Sequence, residues 1–147
     1  MRRGMTALDY SIEIARPVED VFDFVADPRN DARWCPRVQD CEQVEGDRPA
    51  VGARYAVRHN PTLQRPHLRR IEIVGCDRPS RIVSVQEDRV GRFTIAYELE
   101  PVAGGTRITQ RDEIEWRVGR LAKPIGTRIV KRHMAAQLRN LKRLLEE

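Results

Sequence analysis

From about Pro124 to Glu147 no residue interrupts a helix, and at about 1.5 Å per residue such a segment spans about 34 Å. At about 100° per residue, Val130, Met134, Leu138, Leu141, Leu144 and Leu145 fall in one stripe. Arg128, Lys131, Arg132, Arg139, Lys142 and Arg143 lie mostly outside it. A one-sided helix of this length needs an equally long apolar surface to cover it, and that need constrains everything upstream.

The upstream chain supplies a sheet. Leu8, Tyr10, Ile12 and Ile14 alternate with Asp9, Ser11 and Glu13, the period-two pattern of a strand with one buried face. Pro17 then opens a short amphipathic helix carrying Val18, Val21, Phe22 and Val25, and Asp27-Pro28 ends it. After a second short helical stretch and Trp34-Cys35-Pro36, turn chemistry recurs at Glu45 to Pro49, Asn60 to Pro66, Asp77 to Ser80, Val90 to Arg92 and Val102 to Gly105. That punctuation predicts an antiparallel meander. In it Tyr55 pairs in phase with Val57, Ile71 with Ile73, Val83 with Val85, and Phe93 with Ile95, Tyr97 and Leu99. Ile108, Ile114, Trp116 and Val118 share one side of the last strand.

The expected fold is therefore α+β: a curved antiparallel sheet of about seven strands wrapped around a long C-terminal helix, with two short helices between the first two strands. Residues 1–6 read as an N-terminal tail and 7–147 as a single domain. No run of 18 or more apolar residues and no leader-type apolar segment is present, which points to a soluble, cytoplasmic protein. Cys35, Cys41 and Cys76 lack metal-ligand or disulfide-framework spacing, so reduced thiols are expected. The net charge of +5 comes with 24 arginines. The acidic residues are interspersed among them without a nucleic-acid-binding signature, and nucleic acid is not expected as a partner.

Several local motifs carry a resemblance. They are Ala15-Arg16-Pro17 followed by Val21-Phe22-Asp23-Phe24-Val25-Ala26-Asp27-Pro28, then Trp34 with Pro36 and Val38, then Gly52, then Gly104-Gly105-Thr106-Arg107-Ile108-Thr109, and the ending Leu141-Lys142-Arg143-Leu144-Leu145-Glu146. In this order they resemble the START-like (SRPBCC) superfamily of polyketide cyclases, dehydrases and lipid-transfer proteins. The resemblance implies a helix-grip fold with a deep cavity between sheet and terminal helix, used by members to hold lipids, quinones, polyketides or hormones.

The chemistry of such a cavity rests on polar residues in phase with apolar ones. Gln110 and Asp112 share the parity of Ile108 and Ile114, so an unbroken pleat points both inward, and a bulge would turn them out. His59 is in phase with Tyr55 and Val57 at a strand end, and Gln137 and His133 lie within and beside the helix stripe. The expected ligand-binding set is Trp34, which either caps the entrance or seals the core beneath the short helices, Tyr55, Phe93, Tyr97, Trp116 and Met134 as walls, and His59, Gln110, Asp112, His133 and Gln137 as anchors. With no HxxxH, GxSxG, GxxxxGK[ST] or GxGxxG motif, neither metal nor nucleotide cofactor is expected.

Three functions follow. The first is binding of a hydrophobic small molecule (lipid, quinone, polyketide or aromatic compound), with the protein a monomer or homodimer. The second is a polyketide cyclase or dehydratase with Asp112, His59 and His133 as general acid/base candidates. The third is a macromolecular interaction module using the basic surface.

Overall fold

The computed structural model describes residues 5–60 and 67–147. Its elements run β1 (Met5–Ile14), α1 (Val18–Val25), a 3-10 helix η1 (Pro28–Arg33), β2 (Val38–Glu45), β3 (Arg54–His59), β4 (His67–Asp77), β5 (Arg81–Glu87), β6 (Gly91–Val102), β7 (Gly105–Trp116) and α2 (Ala122–Leu145). The strands form one seven-stranded antiparallel sheet in the order β1-β7-β6-β5-β4-β3-β2. Strands β2 to β7 are a meander, and β1 returns to pair along β7. This is the helix-grip architecture: a curved sheet closed by a long terminal helix. The expected turn at Asn60 to Pro66 lies, apart from Asn60 itself, outside the described residues.

The core is the face of the sheet that meets α2. Met134, Leu138 and Leu141 of the helix are buried, and Leu138 and Leu141 pack in one cluster with Ile14, Ile108, Tyr55 and Ile73. α1 adds Val21, Phe22 and Val25 to the same cluster and closes one end. A smaller cluster of Phe93, Ile95 and Ile114, with Trp116 and Val130 against it, fills the other end.

The C-terminal end of α2 is tied down by hydrogen bonds. The Arg16 guanidinium donates to the Leu145 carbonyl at 2.8 Å, the Ala15 N–H donates to Glu146 Oε2 at 2.8 Å, and Lys142 Nζ donates to the Glu13 carbonyl at 2.7 Å. Arg16 thereby satisfies a carbonyl that the helix end leaves open. The N-terminal end has no side-chain cap.

Two expectations need correction. β1 starts at Met5, so Met5 and Thr6 belong to the sheet and not to a tail; Thr6 Oγ1 accepts from Trp116 Nε1 at 2.9 Å. Val118 lies past the end of β7. Val83 and Val85 share a face, as expected, and the inward residues of β5 are Ile82, in the main core, and Gln86, at the cavity. Of the Gly104-Gly105 pair only Gly104 has positive φ, at 84°. Gly105 is required for another reason: a Cβ there would sit 2.1 Å from the Ile14 carbonyl oxygen.

Charge is distributed unevenly. The sheet's arginines are largely paired across strands, as in Arg107 with Glu100 at 2.9 Å and Arg54 with Glu72 at 3.0 Å. By contrast α2 carries seven Lys and Arg and no acidic residue. The basic excess is thus concentrated on the helix.

The two glycines give a test. Gly105→Ala is expected to lose about 1–3 kcal/mol through collision with the β1 backbone, and Gly104→Ala only about 1 kcal/mol through left-handed strain. Urea unfolding of both variants checks the ranking, and equal losses would contradict the close approach of β1 to β7.

Candidate functional site

Between the sheet and the N-terminal half of α2 lies a cavity of about 130 Å³. Phe93, Ile95, Tyr97, Val130 and Met134 supply apolar wall, and His59, Gln110, Asp112, His133 and Gln137 polar wall. Burial grades its depth: Gln110 and Asp112 are 2% and 4% exposed and form the floor, while Arg37, His59 and His133 are only half-buried and rim the mouth.

The floor is built by an unbroken β7. Ile108, Gln110, Asp112 and Ile114 keep one parity through a continuous register with both neighbours, so no bulge relieves the polar pair. A chain of hydrogen bonds satisfies it instead. Gln137 Nε2 of α2 donates to Gln110 Oε1 at 2.7 Å, and Gln110 Nε2 donates to Asp112 Oδ1 at 3.0 Å. Burial pushes the Asp112 carboxyl up to about 6, against the opposing effects of the Gln110 bond and the Arg69 charge.

The mouth is cationic. On the inner face Arg69 of β4 stands opposite Val57, diagonal to His59 of β3, which pairs with His67. Arg69 donates to the buried Asp88 carboxylate at 2.6 Å and to Gln86 Oε1 at 3.3 Å, and its guanidinium lies 4.9 Å over the Phe93 ring. Burial, then the Arg69 charge, lowers His59 to about 3. Burial, then Arg37 and Arg69, likewise lowers His133. Both imidazoles are therefore neutral at physiological pH. Among the described residues, His59 Nδ1 and Arg69 Nε are buried without a hydrogen-bond partner, an arrangement that native interiors seldom leave.

Sequence reasoning placed three residues here that the structure puts elsewhere. Trp34 is buried in the main core, edge-on to Tyr97 at 5.9 Å, and does not gate the mouth. Tyr55 belongs to the same core; its phenol is pushed up to about 12, first by burial and then by Asp27, with Arg29 opposing and Cys41 and Asp31 adding to the shift. Trp116 packs on Phe93 at 6.3 Å and on Gly126, where a Cβ would lie 2.8 Å from its ring, so it seats the start of α2. The remaining eight line the cavity.

Other lining residues escaped that reasoning. Arg69 is in phase with Ile71 and Ile73, a parity signal obscured by the run Leu68-Arg69-Arg70. Asp31 comes from η1, whose short 3-10 turn has no amphipathic period to read. Burial, then the nearby Asp27 charge, raises its carboxyl well above the usual range. Burial raises the Tyr97 phenol too, with Cys35, Asp31 and Asp112 all contributing. These three groups therefore cluster about Tyr97.

A larger concavity of about 730 Å³ lies on the outer face of the sheet, where Val44, Leu68 and Val74 are exposed. Much of its charged rim is internally paired, as in Arg54 with Glu72 and Arg92 with Glu87. The inner cavity is the one lined by the buried polar pair Gln110 and Asp112.

Residues 5–146 match the family model described as polyketide cyclase / dehydrase and lipid transport. The chain belongs to this family. Solved structures agree on the fold. The Zhui aromatase/cyclase from Streptomyces sp. R1128 is similar with a TM-score of 0.82 at 16% identity, over 97% of this chain and 94% of that one. A START superfamily protein from Mycobacterium smegmatis gives 0.75 at 13% identity, over 95% and 97%. The di-domain aromatase/cyclase BexL gives 0.79 at 18% identity, over 98% of this chain but 51% of that one, so the chain spans about half of that protein. No protein of curated function matches the chain. Within the described residues, no helix of this family member is long and apolar enough to cross a membrane.

The raised Asp112 carboxyl makes a prediction. The native state holds this proton more tightly than the unfolded chain, whose pKa is 3.8. Ionisation therefore destabilises the fold fully above about 6, and the effect vanishes below the unfolded value. Asp112→Asn is expected to stabilise the protein at pH 8 by up to about 3 kcal/mol, with the gain gone near pH 4. Urea denaturation at the two pH values measures it, and no gain at pH 8 would refute the ionised buried carboxyl.

Proposed function

We propose that the protein binds a hydrophobic small molecule in the cavity between its sheet and α2. The observation that carries this reading is the pair of buried, unpartnered polar atoms, Arg69 Nε and His59 Nδ1, in the wall of a partly apolar cavity. A ligand group accepting from Arg69 completes what the protein leaves open, while Phe93, Ile95 and Met134 take the apolar body. Membership of the polyketide cyclase / dehydrase and lipid transport family supports it. The seven Lys and Arg of α2, with no acidic residue within the helix, supply a positive field that draws anions toward this side of the molecule.

The test is native mass spectrometry for a co-purified compound, followed by a thermal-shift screen of lipids, quinones and aromatic compounds. A ligand at about 100 times its Kd adds about 2.7 kcal/mol, which for a domain of this size raises Tm by about 5–10 °C. Val130→Trp, which fills the cavity from α2, is expected to abolish the shift. If no compound raises Tm, the binding reading fails.

A second reading, a cyclase or dehydratase, is favoured by the separation of two carboxyls about Tyr97. Asp112, raised to about 6, is largely ionised at neutral pH, whereas burial and the nearby Asp27 charge raise Asp31 well above the usual carboxylate range. That split is the requirement for an acid and a base in one site. Asp112 takes the proton α to a ketone, Asp31 gives one to the departing hydroxyl, and water leaves. His59, held to about 3, is too weak a base for this role. Loss of about 100-fold or more in turnover of a β-hydroxy ketone with Asp112→Asn would support it, and unchanged turnover would exclude Asp112 as the base.

A further inference from the structure

The cavity limits its own ligand. Its volume is about 130 Å³, close to the roughly 150 Å³ that holds one benzene ring in a protein core and below the roughly 300 Å³ at which larger ligand sites begin. Phe93 and Ile95 of the wall are buried in a packed cluster with Ile114, and Met134 above them is fully enclosed. A two-ring or long-chain molecule would have to displace these side chains.

The polar groups divide between the two ends. At the mouth stand Arg37 and Arg69, with neutral His59 and His133 between them. Asp88 neutralises Arg69 from the side, through one nitrogen, while Arg69 Nε remains unpartnered. No ion pair or hydrogen bond engages the Arg37 side chain among the described contacts. At the floor Asp112 accepts from Gln110 through Oδ1, and Gln110 is itself committed to Gln137. Arg69 on β4 and Asp112 on β7 are separated by β5 and β6, so a ligand spanning the cavity meets donors at one end and an acceptor at the other.

Resting on the binding reading above, we infer that the cavity takes a single-ring aryl carboxylate bearing a ring hydroxyl. Its carboxylate accepts from Arg69 Nε and sits beside Arg37 and His59 at the mouth. Its ring packs on Phe93, Ile95 and Met134, and its hydroxyl donates to Asp112. Each end answers an observed feature: the carboxylate the orphaned donors, the hydroxyl the buried acceptor.

The experiment is calorimetric titration of the intact protein with para-hydroxybenzoate, benzoate, para-hydroxybenzamide, a hydroxylated two-ring naphthoate and palmitate. Charge-assisted hydrogen bonds are worth about tenfold or more in affinity. Para-hydroxybenzoate is thus expected to bind at least about tenfold more tightly than its amide and than the naphthoate, and several-fold more tightly than benzoate. Asp112→Asn, which keeps the fold, is expected to narrow the gap to benzoate. Arg37→Gln is expected to weaken both acids several-fold without changing the amide. Arg69 is left intact, because its removal strands the buried Asp88 carboxylate.

An amide that binds as tightly as the acid would overturn the anionic end. Tighter binding of naphthoate or palmitate would overturn the single-ring limit while leaving the cavity-binding reading in place. Failure of all five compounds, together with an empty thermal-shift screen, would overturn both.

Discussion

The structure depends on burying one stripe of α2 against the inward face of the sheet. Met134, Leu138 and Leu141 are enclosed, and at about 25 cal/mol per Å² this stripe is a large part of what offsets the entropy of ordering 24 helical residues. The contact is not uniform along the helix. Toward the C-terminus Leu138 and Leu141 join the main core, and Arg16, Ala15 and Lys142 fasten the last turn. Toward the N-terminus Val130, His133 and Gln137 are only half-buried. The cavity lies under this looser half, so the fold separates the segment that holds it together from the segment that leaves space.

That space is polarised by the same sheet. Antiparallel alternation places Arg69, Gln110 and Asp112 inward at positions where hydrophobic side chains would pack without penalty. Each has been accommodated differently: Arg69 by Asp88 and the Phe93 ring, Gln110 by Gln137, and Asp112 by a single donor and a raised pKa. Asp112 is the least compensated. A residue that lowers stability yet occupies the floor of the main inward cavity fits the general pattern in which sites for function are sites of stored cost.

Much of this was legible from alternation and helical period, and the failures have physical causes. β7 could be read residue by residue because its register is unbroken for its whole length, which placed Gln110 and Asp112 inward beside Ile108 and Ile114. On β5 the shared face of Val83 and Val85 was legible too, but alternation alone does not say which face turns inward, and there it is Ile82 and Gln86 that do. Tyr55 was misassigned since parity reports the face of a sheet and not the distance along it; Trp34, which caps the end of η1, sits on no strand and has no parity to read, and both belong to the main core. Asp31 left no periodic trace at all. Arg69 left one, but an arginine in an arginine-rich chain reads as surface until a buried partner such as Asp88 is seen.

Trp116 seats the helix start against Gly126 without a side-chain cap at Leu121, and the bond from Gln137 to Gln110 joins the loose half of α2 to β7. Ionised Asp112 strengthens the Gln110 donor and through it polarises Gln137, whereas protonation relaxes that chain, so the hydrogen bonds between β7 and α2 respond to the charge at the floor.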